Sequence, residues 1–355
     1  MARKTIFMET AFWVTFSECS RALFAESNDT DPVSIFERLS RWNDIYKFIC
    51  RSNLYTDKPL SELAKIAEEK GDQMLKHILK RSGDGMIEME YSEDPFPNLD
   101  TNEDFYPEDY SAVFLTRENH CIGASKLGLL NICIDNIWEQ KAKFVDSGNP
   151  VRRDTEWTWR KMDILKETSN GVIIIDNYIL APYIDRQSGV ENCTISFNLK
   201  ELFKLLLPHS TPVKYPISIF YFDNSGDLSV KQQRKDSFFS DIQRFIKHER
   251  PNLDFILELF PTSTNEYSSR KDFHDRAILT NNIWVSSEAG FDLLKKDTTR
   301  ATNAAAIKST KTHGLYLGFG DEAASWLDCA YDQLIAEAKN CLKKYSYISE
   351  NRLLE

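Results

Sequence analysis

Residues 273–286 read Phe-His-Asp-Arg-Ala-Ile-Leu-Thr-Asn-Asn-Ile-Trp-Val-Ser, and they hold the chain's most chemically suggestive spacing. His274 and Arg276 lie two apart at the head of an apolar run. Alternate residues of a strand share a face, so the two side chains point together and Asp275 points away. An imidazole beside a permanent cation is a phosphate site in outline. The imidazole can attack phosphorus or move protons near neutral pH, and the guanidinium can clamp anionic oxygens. The same spacing also fits a strand-edge histidine and a surface arginine.

Such a pair needs a rigid sheet behind it, and the chain is long enough to build more than one. Its 355 residues suffice for two domains with separate cores. Apolar residues make up 42% and charged residues 28%, the balance of a globular protein. Apolar runs such as Val172–Ile175 are far too short to span a bilayer, and no small-residue cleavage site follows the basic start. No transmembrane segment is expected, and the reading is cytoplasmic. Seven scattered cysteines without a Cys-x-x-Cys pattern suit reduced thiols, not a disulfide frame or a zinc knuckle.

The net charge of −10 is unevenly spread. Residues 1–150 hold 17 Lys/Arg against 26 Asp/Glu, or −9, and residues 151–355 hold 27 against 28, or −1. The acidic half is a poor partner for a nucleic-acid backbone. In the second half, Lys295, Lys296, Arg300, Lys308 and Lys311 face only Asp297 as an opposing acid within their span.

Taken in order, β-branched and aromatic residues predict a strand near 5–9 that runs into a helix to about Phe24. Asp31 and Pro32 mark the start of the next helix, with a core face through Ile45 and Ile49. Apolar spacing continues the helical pattern from Leu60 to about Arg81. Residues 84–109 carry ten acids and no Lys or Arg, and read mostly as an exposed loop. A buried strand is expected at Ala112–Thr116, a short helix around Gly123–Leu127 capped by Gly128, and another strand at Leu129–Ile134.

This half resembles a PIN-like nuclease domain. Glu9 ends the first strand, Thr116-Arg117-Glu118 stands where the family has Thr followed by two acids, and Lys126-Leu127-Gly128-Leu129 matches the step into the next strand. The resemblance implies magnesium or manganese held by Glu9 and Glu118, with Asp109 or Glu108 as a third carboxylate. Arg117 departs from the pattern, since it sits where an acid belongs. The alternative is a small α/β domain with surface acids.

Ser147-Gly148-Asn149-Pro150 reads as a boundary, giving domains 1–150 and 151–355. A helix is expected at Thr155–Lys166, a central strand at Gly171–Ile179, and a helix capped by Asn198 and stopped by Pro208. Beyond it come strands at Ile217–Phe222 and Leu253–Phe260 around a helix at Lys231–His248. A last strand at Gly314–Phe319 and a closing helix at Ala323–Tyr345 complete the pattern. Strand–helix alternation predicts right-handed crossovers and a largely parallel sheet.

The order Ile175-Asp176-Asn177-Tyr178-Ile179, a leucine-rich helix at 199–206, Ile217-Ser218-Ile219, His274-Asp275-Arg276, Asn282-Ile283-Trp284 and Gly290-Phe291-Asp292 resembles the phospholipase-D-like domain of the MIT C-terminal type. Enzymes of that fold carry two His-x-Lys-x4-Asp motifs, one histidine attacking phosphorus and the other protonating the leaving group. Here Arg276 replaces lysine, Asn281 stands at the aspartate position, and no second copy exists. The resemblance implies His274, Arg276 and Asn281 as the reacting set, with Asp176, Tyr178, Asn282, Lys295 and Lys296 around the ligand at the carboxyl ends of parallel strands. It implies no cofactor for this half, and a homo-oligomer that brings two His274 together.

Two functions are therefore expected of an α/β, two-domain chain. One is a nuclease-like protein acting on phosphodiesters, as effector or subunit of a prokaryotic antiviral system. The other is a non-catalytic module that binds phosphate groups of nucleic acid, nucleotide or anionic lipid beside other protein subunits. Either way Arg276 is expected to matter more to binding than to stability.

Overall fold

The structure is a computed structural model. It describes residues 5–25, 32–92, 110, 112–137, 149–151, 168–177, 179, 183–184, 191–192, 197–222, 228–262, 276–281, 283–287, 294–296, 305–307, 312–316 and 324–354. The chain forms two compact units, Met1–Asp146 with Leu317–Leu327, and Ser147–Tyr316 with Asp328–Glu355.

The first unit follows the order β1 (Thr5–Met8), α1 (Thr10–Ala25), α2 (Pro32–Arg51), β2 (Asn53–Thr56), α3 (Leu60–Glu69), α4 (Gln73–Gly83), β3 (Met89–Tyr91), β4 (Ala112–Leu115), α5 (Glu118–Lys126) and β5 (Asn131–Cys133). Its five strands are all parallel and lie in the order β3-β2-β1-β4-β5. Burial on both faces explains why β4 is apolar throughout, with all four of its residues buried. Phe12 of α1 meets Phe114 of β4 edge-to-face at 5.2 Å.

Three expectations change here. The run from Leu60 to Arg81 is two helices, because Gly71 takes φ 61° and Asp72 caps α4, accepting from the amides of Met74 and Leu75 at 3.0 Å. The acidic stretch 84–109 contributes β3, anchored by buried Met89, so its first part pairs instead of looping. The strand β2, which the sequence pattern did not signal, alternates buried and half-buried residues and pairs with both β1 and β3. Gly128 does end α5: it takes φ 75°, and the amide of Leu129 donates to Ala124 at 2.9 Å.

The second unit holds β6 (Asn149–Val151), β7 (Val172–Ile175), β8 (Tyr183–Ile184), β9 (Glu191–Asn192), α6 (Phe197–Leu206), β10 (Tyr215–Phe222), α7 (Leu228–Glu249), β11 (Phe255–Thr262), β12 (Arg276–Thr280), β13 (Ile283–Ser287), β14 (Leu294–Lys296), β15 (Ala305–Ile307), β16 (Thr312–Tyr316) and α8 (Ala324–Tyr345). Seven strands form one sheet, β11-β10-β7-β12-β13-β16-β6. Only β11, β10 and β7 run parallel to each other; every pairing from β7 through β12 to β6 is antiparallel. The largely parallel sheet expected from strand–helix alternation is thus mixed. Residues 281–282 alone join β12 to β13, and so short a link can only close a hairpin. The two units part at Asp146 and Ser147, where the boundary was expected, and the run then supplies β6, an edge strand in which Pro150 costs the ladder little. Asn198 lies inside α6, which starts at Phe197, and does not cap it. The helix expected at Thr155–Lys166 lies outside the described residues.

α8 ends with Ser346 at φ 55°, while the amide of Tyr347 donates to Leu342 at 2.9 Å. That is a left-handed cap on a residue with a Cβ, a conformation that costs roughly 1–2 kcal/mol. Gly loses roughly 0.5–1 kcal/mol more backbone entropy on folding. Ser346→Gly is therefore expected to stabilise the protein by about 0.5–1 kcal/mol. Urea unfolding followed by circular dichroism checks it, and a lower midpoint would refute it.

Past that cap the chain lies along the start of the parallel strands. Asn351 is fully buried there; its Nδ2 donates to the carbonyl of Val172 at 3.0 Å and to Ser218 Oγ at 2.9 Å. Glu258 accepts from Ser218 Oγ, Ser349 Oγ and the amide of Glu350, at 2.6–2.7 Å.

Candidate functional site

In the first unit the chain builds β1, β2 and β3 to one side and then crosses to β4 and β5 on the other. The crevice beyond the carboxyl ends of β1 and β4 is therefore the topological switch point, where sheets of this kind place ligands. Glu9 follows β1 directly, and Thr116 follows β4. Glu9 Oε2 accepts from the Thr116 amide at 2.7 Å and from Thr116 Oγ1 at 2.5 Å. Its other oxygen, Oε1, lies 3.4 Å from Nδ1 of His120, on the first turn of α5. Both side chains are 13% exposed.

A second carboxylate closes the same end of the sheet. Asp57, just past β2, accepts from the Thr10 amide at 2.7 Å and from Thr10 Oγ1 at 2.5 Å. Thr10 opens α1, so Asp57 meets the positive end of that helix. A cavity of about 20 Å³, room for one water, lies against Met8, Glu9, Thr10, Trp13, Leu63 and Met89. Chemically, a carboxylate beside the Nδ1 edge of an imidazole is the arrangement that orients a proton acceptor.

Of the expected metal set, among the described residues only Glu9 reaches into this crevice, bonded to Thr116 and beside His120. Glu118 is exposed on the first turn of α5, where its charge suits the helix dipole. Asp109 and Glu108 lie outside the described residues. Among the described residues no group of three or more His, Cys, Asp or Glu side chains gathers to hold a metal ion. His120 and Asp57 were missed in the sequence because the resemblance pointed only to Glu9 and to carboxylates near Thr116. Asp57 carried no local signal, because the strand that ends just before it carried none either.

In the second unit, the register Ala277↔Ile175 places Arg276, the first residue of β12, beside Asp176, the residue after β7. Arg276 Nε stands 3.9 Å from Asp176 Oδ1, with the side chains 12% and 0% exposed. The pair is thus largely withdrawn from water. The amide of Asp176 donates to Phe220, so the pair sits at the carboxyl ends of β7 and β10. Burial against a carboxylate gives Arg276 a structural role beside the one expected of it in binding.

Asn281 is not brought to that end. β12 runs antiparallel to β7, so the turn after Thr280 lies at the start of β7, where Asn281 Oδ1 accepts from the Asn170 amide at 3.0 Å. It lies five residues along the chain from Arg276, about 17 Å at the usual rise. The antiparallel direction is the physical reason the expected cluster divides. Tyr331 donates to the carbonyl of Thr280 at 2.8 Å, and burial pushes its phenol well above the usual range, so it stays a neutral donor. His274, Tyr178 and Asn282 lie outside the described residues. Lys295 and Lys296 belong to β14, which pairs with β15.

Compared with protein families and with characterised proteins, the sequence matches none. Among the described residues no helix is long and apolar enough to cross a membrane. Cys19, Cys50, Cys121, Cys133 and Cys341 carry free thiols.

Proposed function

We propose that the protein acts on phosphodiester bonds of nucleic acid, with the crevice of the first unit as the reacting site. The observation that carries this reading is Glu9 at the switch point of a five-stranded parallel sheet, hydrogen-bonded to Thr116 and beside His120. It agrees with the PIN-like resemblance of Glu9 and the Thr116 step. In this reading Glu9 orients His120, which accepts a proton from the attacking water. The resemblance of the second half to phospholipase-D-like domains fits a phosphate ligand there too. The proposed setting is an effector or subunit of a prokaryotic antiviral system, self-associating and working beside other proteins.

The test is cleavage of labelled single-stranded RNA and DNA, with and without magnesium or manganese, by wild type, Glu9→Gln and His120→Ala. Glu9→Gln keeps an oxygen for Thr116, so the fold is expected to survive. Removing a positioned acid–base group typically costs about 100-fold or more in rate. Both variants are expected to lose cleavage by that factor while melting near the wild-type temperature. Cleavage by Glu9→Gln at the wild-type rate would remove the crevice from the chemistry.

A second reading has its own observation. In the second unit Arg276 and Asn281, two of the expected reacting set, lie at opposite ends of the sheet, which suits a binding module better than a hydrolase. Wild type that binds these strands and cleaves none of them would establish it.

A further inference from the structure

The end of α8 and the segment after it carry a feature that neither resemblance includes. Tyr345 and Tyr347 stack with ring centroids 5.8 Å apart and planes 30° apart. Lys344 Nζ lies 4.9 Å from the Tyr345 ring centroid, and Lys235 Nζ, reaching from α7, lies 5.8 Å from that of Tyr347. The contacts run Lys235, Tyr347, Tyr345, Lys344, so cations flank a pair of rings. Lys343 and Lys344 are exposed, and Ile348 beside them is 90% exposed. No acid occurs from Ala338 to Ile348.

The rings are held in place. Tyr347 packs on Phe260 at 5.4 Å and donates its hydroxyl to the carbonyl of Pro261 at 3.0 Å. Ordering this platform therefore costs a ligand little entropy. Ring faces flanked by ammonium groups match one polymer chemistry well: a phosphate backbone whose bases are free to stack. A duplex hides its base faces from such a ring pair.

We infer that Lys235, Lys343, Lys344 and Tyr345, around the anchored Tyr347, form a binding track for single-stranded nucleic acid. This surface is independent of the crevice in the first unit. It would deliver or retain a strand whether or not the chain cleaves one.

Anisotropy of a labelled oligothymidine of about twenty nucleotides, titrated with the full chain between about 50 and 200 mM salt, tests the inference. Each phosphate contact contributes about 0.7 to the slope of log affinity against log salt for single strands. Lys343→Gln with Lys344→Gln is expected to flatten that slope by about 1.4 and weaken low-salt binding about tenfold. Tyr345→Ala is expected to weaken binding about tenfold without changing the slope, because stacking releases no counterions. Lys65→Gln with Lys80→Gln, exposed lysines of the first unit, should bind as wild type does. The inference is overturned if the strand does not bind, if the Lys343/Lys344 and Tyr345 variants bind as tightly as wild type, or if duplex DNA or phosphatidylserine vesicles bind better than the strand. Cleavage rates of the Glu9→Gln protein are a separate readout, so the two proposals can fail separately.

Discussion

Arg276→Ala is expected to destabilise the second unit by about 3–5 kcal/mol, the usual cost of removing one partner from a buried ion pair. The reason is what remains. Asp176 is fully buried, and the facing guanidinium, 12% exposed at 3.9 Å, would be gone. A carboxylate left in a low-dielectric interior must either stay charged without that neighbour or take up a proton, and both destabilise the fold. The pair as a whole need not contribute much. Replacing both members with apolar residues of similar volume, Asp176→Leu with Arg276→Met, is expected to be far milder than Arg276→Ala alone. Urea unfolding of wild type, both single variants and the double variant closes the cycle. A loss below about 1 kcal/mol for Arg276→Ala would show the pair to be hydrated, and would return Arg276 to the role of a phosphate clamp.

Asn351→Ala is expected to cost about 3–4 kcal/mol, although the residue lies only four positions from the end of the sequence. Its amide satisfies the Val172 carbonyl and Ser218 Oγ, and its Oδ1 accepts from the Leu353 amide at 3.0 Å. Each buried group left without a partner costs roughly 1–3 kcal/mol. The space is close-packed, since a methyl on Gly171 would come within 2.9 Å of Pro216 Cγ and 3.4 Å of Asn351 Oδ1. Removing residues 346–355 should be worse still, because it also strips Glu258 of the Ser349 hydroxyl and the Glu350 amide. Thermal melting decides it: an Asn351→Ala melting temperature within a degree or so of wild type would mean that water or a neighbour takes over these bonds.

These two sites differ in what announced them. Arg276 stood out by its spacing from His274, and Asp176 by the resemblance to phospholipase-D-like domains. Asn351 gave no signal, because an isolated asparagine ordinarily belongs to solvent. Local pattern determined much of the chain. The all-apolar strands β4 and β7, the amphipathic α7, the long α8 and the left-handed Gly128 all follow from period, burial preference and backbone freedom. The mixed α/β class follows from the same patterns.

Direction and partnership were decided by tertiary structure. Nothing local distinguishes a parallel strand from an antiparallel one, so β12 was readable as a strand, but its reversal against β7 was not. That reversal sends Asn281 to one end of the sheet and leaves Arg276 at the other, beside a buried acid. Likewise Glu9 was legible as an acid closing the first strand. That Thr116 and His120 come to it from more than 100 residues away depends on β1 lying beside β4. Contacts so distant in sequence leave no trace in local spacing, because the chain meets their cost only once the whole sheet has formed.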